Sequence, residues 1–139
     1  MSRILAIDYG KKKCGIAVTD PLQIIANGLT TVSTNDIMTF LEDYIKREDV
    51  EKIIVGHPLQ NSGQESESMK FIKPFFNRLS NKYPHLHVEW VDERFTSQLA
   101  FRAMIDGGLK KMDRRNKELV DKVSATIILQ SYLEQKKNY

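Results

Sequence analysis

The chain has 139 residues, 41% of them hydrophobic and 28% charged, the make-up of an ordinary globular domain that buries roughly 68% of its unfolded surface around one core. No apolar run approaches a membrane span, and Met1-Ser2-Arg3 passes straight into Ile4-Leu5-Ala6-Ile7-Asp8 without a small-residue cleavage site, so neither a transmembrane segment nor a secretion signal is expected. Cys14 is the only cysteine, which excludes an internal disulfide, argues against cysteine-held zinc and suits a reducing cytoplasm; a net charge of +3 is too mild to identify a nucleic-acid partner by itself.

In chain order, Arg3 to Tyr9, Lys13 to Asp20 and Ile24 to Val32 are rich in Ile, Val, Leu or Thr and are separated by Gly10, Pro21 and short polar turns, which predicts a three-strand antiparallel meander. Thr34-Asn35-Asp36 can cap the helix implied by Ile37, Phe40, Leu41, Tyr44 and Ile45. Lys52-Ile53-Ile54-Val55-Gly56 reads as a strand covered on both faces, followed by a loop from His57 to Glu65. Met69, Ile72, Phe76 and Leu79 recur at helical spacing, with Pro74 expected to kink that helix or end it early. Leu86 to Val91 returns to strand character. Thr96 or Ser97 can then cap a helix reaching Asp106 ahead of Gly107-Gly108, and a last helix runs from about Asn116 to Gln135. This order predicts an α/β fold with a mixed sheet covered by helices, in one domain over residues 1–139 without linker or repeat.

Three acids stand out against this framework. Asp8 interrupts an apolar strand just before Tyr9-Gly10, where a carboxylate either accepts from turn amides or serves function. Asp92-Glu93-Arg94 follows the Leu86–Val91 strand; alternation sends Asp92 and Glu93 to opposite faces, so only one of them shares a face with Asp8. The structural alternative for this pair is local pairing with Arg94 and a favourable place near the next helix's N-terminus. Asp121 heads a helical stripe with Ser124, Ala125, Ile128 and Tyr132, which points its position toward the sheet; an exposed pair with Lys117 is the alternative, in the less favourable orientation. Carboxylates sharing a pocket repel one another unless a cation intervenes. All-oxygen donors select hard Mg2+ or Mn2+, ions suited to activating water against a phosphodiester.

The same residues resemble a known family. Asp8-Tyr9-Gly10, Val55-Gly56-His57-Pro58-Leu59, Asp92-Glu93-Arg94-Phe95-Thr96 and the Asp121 helix ending Ile128-Leu129-Gln130 are similar to the motifs of the YqgF (RuvX-type) proteins, in order and across nearly the whole chain. The resemblance implies an RNase H-like three-layer fold, with three antiparallel strands followed by two parallel ones in a five-stranded sheet. It implies kinship with Holliday-junction resolvases, a nuclease role at the 5′ end of pre-16S rRNA, and Asp8, Glu93 and Asp121 as the catalytic, metal-holding acids. Lys13 stands where that family usually has arginine, His57 where it has leucine and Ser124 where it has alanine. A lysine at that turn grips phosphate as a point charge rather than bidentately.

Basic residues supply the expected handholds for nucleic acid. Lys110, Lys111, Arg114 and Arg115 lie just before the Asp121 helix, Lys12 and Lys13 follow Asp8 within the Lys11-Lys12-Lys13 turn, and Arg94 adjoins Glu93. Three readings compete: a nuclease for structured RNA, a resolvase acting on four-way DNA, and a catalytically silent RNA-binding module. The retained acids speak against the last, since a silent module has no need to sustain their repulsion. A sugar-kinase or actin-like phosphotransferase needs two such domains, and Gly10 to Gly15 lacks the Lys-Ser/Thr of a Walker loop. Monomer and homodimer are both compatible with the sequence, a symmetric junction favouring the dimer.

Overall fold

The computed structural model describes residues 2–57, 67–92 and 117–137, the last of these by backbone alone at 117–123 and 135–137. Strands β1 (Arg3–Tyr9), β2 (Lys13–Thr19) and β3 (Ala26–Ser33) are followed by a 3-10 turn (Thr34–Asp36), helix α1 (Ile37–Arg47), strand β4 (Val50–His57), helix α2 (Met69–Lys82), strand β5 (His87–Asp92) and helix α3 (Lys117–Lys137). The sheet order is β3-β2-β1-β4-β5. The meander is antiparallel, and β4 and β5 add parallel to β1, which is the arrangement expected of the RNase H-like sheet. β1 therefore runs through the middle.

Strand alternation divides the core between two faces. Leu5 and Ile7 of β1 pack with Ile16, Val18, Ile53 and Val55 beneath α1 and α2, whose Leu41, Tyr44, Ile72, Phe75 and Leu79 are buried there. Ile4 and Ala6 pack with Ala17, Ile54 and Val91 beneath α3, which contributes Ala125, Ile128, Leu129 and Leu133. Both faces of β1 and β4 are covered, so both strands read as unbroken apolar runs.

Four local departures have physical causes. β3 begins at Ala26 rather than Ile24, because the Asp20 carboxylate accepts from the amides of Leu22 (3.1 Å), Ile24 (2.9 Å) and Ile25 (2.7 Å) and holds them out of the ladder, with Gln23 at φ 59°. Neither N-cap residue, Ser33 of the 3-10 turn nor Asp36 of α1, makes a side-chain cap; the hydroxyl of Thr34 donates instead to the Gly10 carbonyl at 2.7 Å. Helix α2 runs past Pro74 to Lys82. Pro74 is exposed, so the lost amide bond leaves a solvent-side carbonyl. The cost of about 3 kcal/mol is outweighed by burying Met69, Ile72, Phe75 and Leu79 at roughly 1.5–3 kcal/mol per side chain. Phe75, rather than Phe76, is the residue that reaches the core, while Phe76 is half-buried and stacks on Trp90 at 4.1 Å. The helix expected from Thr96 or Ser97 to Asp106 lies outside the described residues, among which no helix is long and apolar enough to cross a membrane.

Candidate active site at the end of the central strand

Asp8 is the last residue but one of β1, and it shares the parity of Ile4 and Ala6. Its carboxylate therefore belongs to the face that α3 covers. Directly across the antiparallel ladder stands Gly15. On the other side the parallel register ends at Ile7 opposite Val55, so Gly56 is the next residue beside Asp8. Both flanking positions lack a side chain. Asp8, itself half-buried, is thus flanked on both sides by glycines, where a Val or Ile would crowd its side chain.

The direction of helix α3 over this face can be read from its C-terminal half. Tyr132 receives a hydrogen bond from Lys52 Nζ at the start of β4, and Gln130, Leu133 and Glu134 line a cavity of about 240 Å³ with Ile24, Ile25 and Ala26 at the start of β3. The C-terminal half of α3 thus lies toward the end of the sheet where β3 and β4 begin, the helix packing mainly on β2 and β3, and its N-terminal half runs toward the strand end that carries Asp8. Eleven residues of helix separate Tyr132 from Asp121, or roughly 16 Å at 1.5 Å each. Four residues of strand separate Lys52 from Gly56, or roughly 13 Å. The two lengths are comparable, so the N-terminal turns of α3 run toward the end of the sheet that carries Asp8. Asp121 lies within α3, one turn before the buried Ala125, on the stripe that continues through Ile128 and Leu129 to half-buried Tyr132.

Asp92 ends β5 on the parity of Val88 and Trp90, the α1/α2 face, and is exposed. It does not share the face of Asp8. His57, in register with Asp92, packs its ring against Trp90 at 4.9 Å on that same far face. Glu93, Arg94, Lys110, Lys111, Arg114 and Arg115 lie outside the described residues. Among the described residues no group of three His, Cys, Asp or Glu side chains converges on a metal position, Asp8 being the one expected acid whose side chain is described. Its oxygen donor, with glycines on either side, fits a hard divalent cation.

The turn after Asp8 is built tightly. A Cβ on Gly10 would stand 2.3 Å from the Lys13 carbonyl oxygen, so only glycine fits. Thr34 clamps the turn from outside, its amide donating to Lys12 O at 2.9 Å and its hydroxyl to Gly10 O, while Cys14 Sγ lies 3.5 Å from that hydroxyl. Lys13, with the parity of Gly15 and Ala17, is on the face of Asp8; Lys12 is exposed at the tip. Two contacts were absent from the sequence reading: Tyr9 stacks on Phe75 at 4.4 Å, and Lys11 Nζ lies 5.6 Å from the centroid of the Phe71 ring. The Phe71/Phe75 spacing along α2 was their only sequence signal. Burial raises the Tyr9 phenol above its ordinary pKa, with Cys14 adding to the effect and Arg78 opposing it.

A second polar cluster fastens α3 at the opposite end. Lys52 Nζ is 3.6 Å from Glu89 and 5.0 Å from the centroid of the Tyr132 ring, and His87 Nε2 is 2.5 Å from Glu89 Oε1. Burial works against the charge on Lys52, but Tyr132 and Glu89 outweigh it and hold the ammonium above its ordinary pKa. Burial likewise opposes the Glu89 carboxylate, and His87 and Lys52 outweigh it and hold it below.

The family model described as RuvX, Holliday junction resolvase, matches residues 2–135. A protein of Phocaeicola vulgatus is 67% identical over 137 residues, covering 99% of both chains. Relatives in Bacteroides fragilis (60% over 137 residues, 99% of both) and Porphyromonas gingivalis (54% over 134 residues, 96% of this chain and 97% of that one) are also similar. All three carry the provisional name pre-16S rRNA nuclease. Among solved structures, T. thermophilus RuvC in complex with Holliday junction substrate aligns with a TM-score of 0.62 at 15% identity, over 98% of this chain and 97% of that one, a likeness of fold.

Proposed function

The chain belongs to the RuvX family of Holliday junction resolvases, and from that premise we propose that residues 1–139 act as one metal-dependent nuclease domain that hydrolyses phosphodiester bonds of structured nucleic acid in the cytoplasm. The observation that carries this reading is the position of Asp8: at the end of the central strand, between glycines, on the face that α3 covers.

Asp8, Glu93 and Asp121 are the proposed catalytic acids. Glu93 enters on sequence grounds: Asp92 falls on the wrong face, and Glu93 has the parity of Val91, which packs beneath α3. Three carboxylates would hold Mg2+ or Mn2+, which when bound supplies Lewis acidity and a water of lowered pKa. The protein's own contribution is to position the scissile phosphate. Lys13 offers a cation on the face of Asp8, held there by the Gly10–Thr34 clamp; Lys12, Arg94, Lys110, Lys111, Arg114 and Arg115 grip flanking phosphates.

The proposed substrate is the 5′ end of pre-16S rRNA, in keeping with the names of relatives that are 54–67% identical. The second reading, resolution of four-way DNA, draws on the description of the family model. End-labelled precursor RNA and junction DNA, cleaved side by side with and without magnesium, decide between them. We expect magnesium-dependent cleavage of the RNA by a monomer or homodimer. Cleavage unchanged in excess chelator removes the metal mechanism, and cleavage of the junction alone moves the substrate to DNA.

A further inference from the structure

Phe71 is 42% exposed in the first turn of α2, a position that sequence periodicity treats as solvent and where a large aromatic gains little from the core. What surrounds it is specific. Tyr9 stacks on Phe75 one helical turn further along α2, which fixes the end of β1 against the helix, and the next residue but one, Lys11, carries its ammonium to 5.6 Å from the Phe71 centroid. Exposed Lys70 and Pro74 flank the ring along the helix. The basic turn is thus split: Lys13 goes to the face of Asp8, whereas Lys11 goes over the edge of the sheet to Phe71. Three residues of backbone, at most about 10 Å, separate Asp8 from Lys11.

We propose that Phe71 is a stacking platform for an unpaired base of the substrate strand, with Lys11 taking the phosphate attached to that base. The subsite rests on the nuclease reading above and deepens it, because it assigns a single-stranded segment next to the cleaved bond as part of what is recognised. The chemistry follows from competing strengths. An exposed cation–π contact is the weaker interaction and base–aromatic stacking the stronger, so an incoming base takes the ring and the released ammonium finds its phosphate. Bases in an intact duplex offer no free face to the ring, whereas splayed or single-stranded nucleotides do. A purely structural Phe71 would only shield the stem of Lys11.

The test is an anisotropy titration of the full chain, in calcium, with a labelled RNA stem carrying a 5′ single-stranded overhang, with the blunt stem and with a four-way DNA junction. Calcium's larger coordination sphere positions an attacking water poorly, so binding is read without turnover. Wild type is expected to favour the overhang. Phe71→Leu should lose roughly tenfold or more in affinity for the overhang while binding the blunt stem as before, and Phe71→Trp should keep the preference. An overhang affinity unchanged in Phe71→Leu, or equal losses on both RNAs, overturns the platform and leaves the nuclease reading standing. Wild type that binds neither RNA nor junction DNA overturns both.

Discussion

Asp8 illustrates how much a single carboxylate depends on the residues across the ladder from it. A strand-end aspartate in a row of large side chains would be crowded or screened. Gly15, and Gly56 on the other side, put no side chain beside it on the α3 face. If the proposed acids share one pocket, Asp8→Asn keeps the shape and removes a charge. It should abolish cleavage while leaving the metal-free protein as stable as wild type or more so, by about 1 kcal/mol, because like-charge repulsion is relieved. Denaturation in chelator, paired with a cleavage assay of the folded variant, measures both. A destabilised variant with normal cleavage per folded molecule would reduce Asp8 to a turn-forming residue and take it out of the mechanism.

At the scale of elements, the decisive relation is how α3 lies on the sheet. Buried Ala125 packs over Ala6 and Ala17, small residues that permit close approach, and the far half of the helix is fastened by Lys52, Glu89 and Tyr132. This fastening is pH-sensitive in a definite direction. The folded Glu89 pKa lies below its ordinary value of 4.5, so its contribution is fully present above pH 4.5 and is lost as the pH falls through the folded value. Lys52 behaves in the opposite sense: its raised pKa gives stability that is present below 10.5 and lost above the folded value. A third of the Glu89 side chain is exposed, which keeps the effect small through solvent screening. Glu89→Gln should lower stability at pH 7 and converge with wild type at acid pH. Urea midpoints at pH 7 and pH 3 test this, and equal differences at the two values would mean that the carboxylate's charge contributes nothing to holding α3.

The whole molecule presents a modest excess of cations, +3 over 139 residues, so its affinity for nucleic acid must come from where those charges lie. Lys11 to Lys13 gather at one end of the sheet, beside Asp8. The sequence adds Lys110, Lys111, Arg114 and Arg115 just before the helix of Asp121. Phosphate contacts act by counterion release, each contributing roughly 0.7–0.9 to the slope of log affinity against log salt. Neutralising those four residues together should weaken binding and flatten that slope, with chemistry per bound substrate preserved. A fourfold variant with the wild-type salt slope would show that this segment is only a solvated charge run.

What the sequence determined alone was everything written as local pattern: the meander, the apolar β4, the amphipathic α1 and the stripe of α3. Their periodicities follow from the pleat of a strand and the pitch of a helix, which are intrinsic to the backbone. Motif resemblance added the family. Only tertiary structure decided the faces. It gave Asp8 its two glycine neighbours, because cross-strand register joins residues far apart in the chain. It sent Asp92 and His57 to the opposite side of the sheet, allowed α2 to continue through Pro74, and diverted Thr34 from a helix cap to the Gly10 turn. Local propensity could not foresee these outcomes, since each was settled by burial or hydrogen bonding to a distant partner, as when Phe75 rather than Phe76 met Tyr9 across the core.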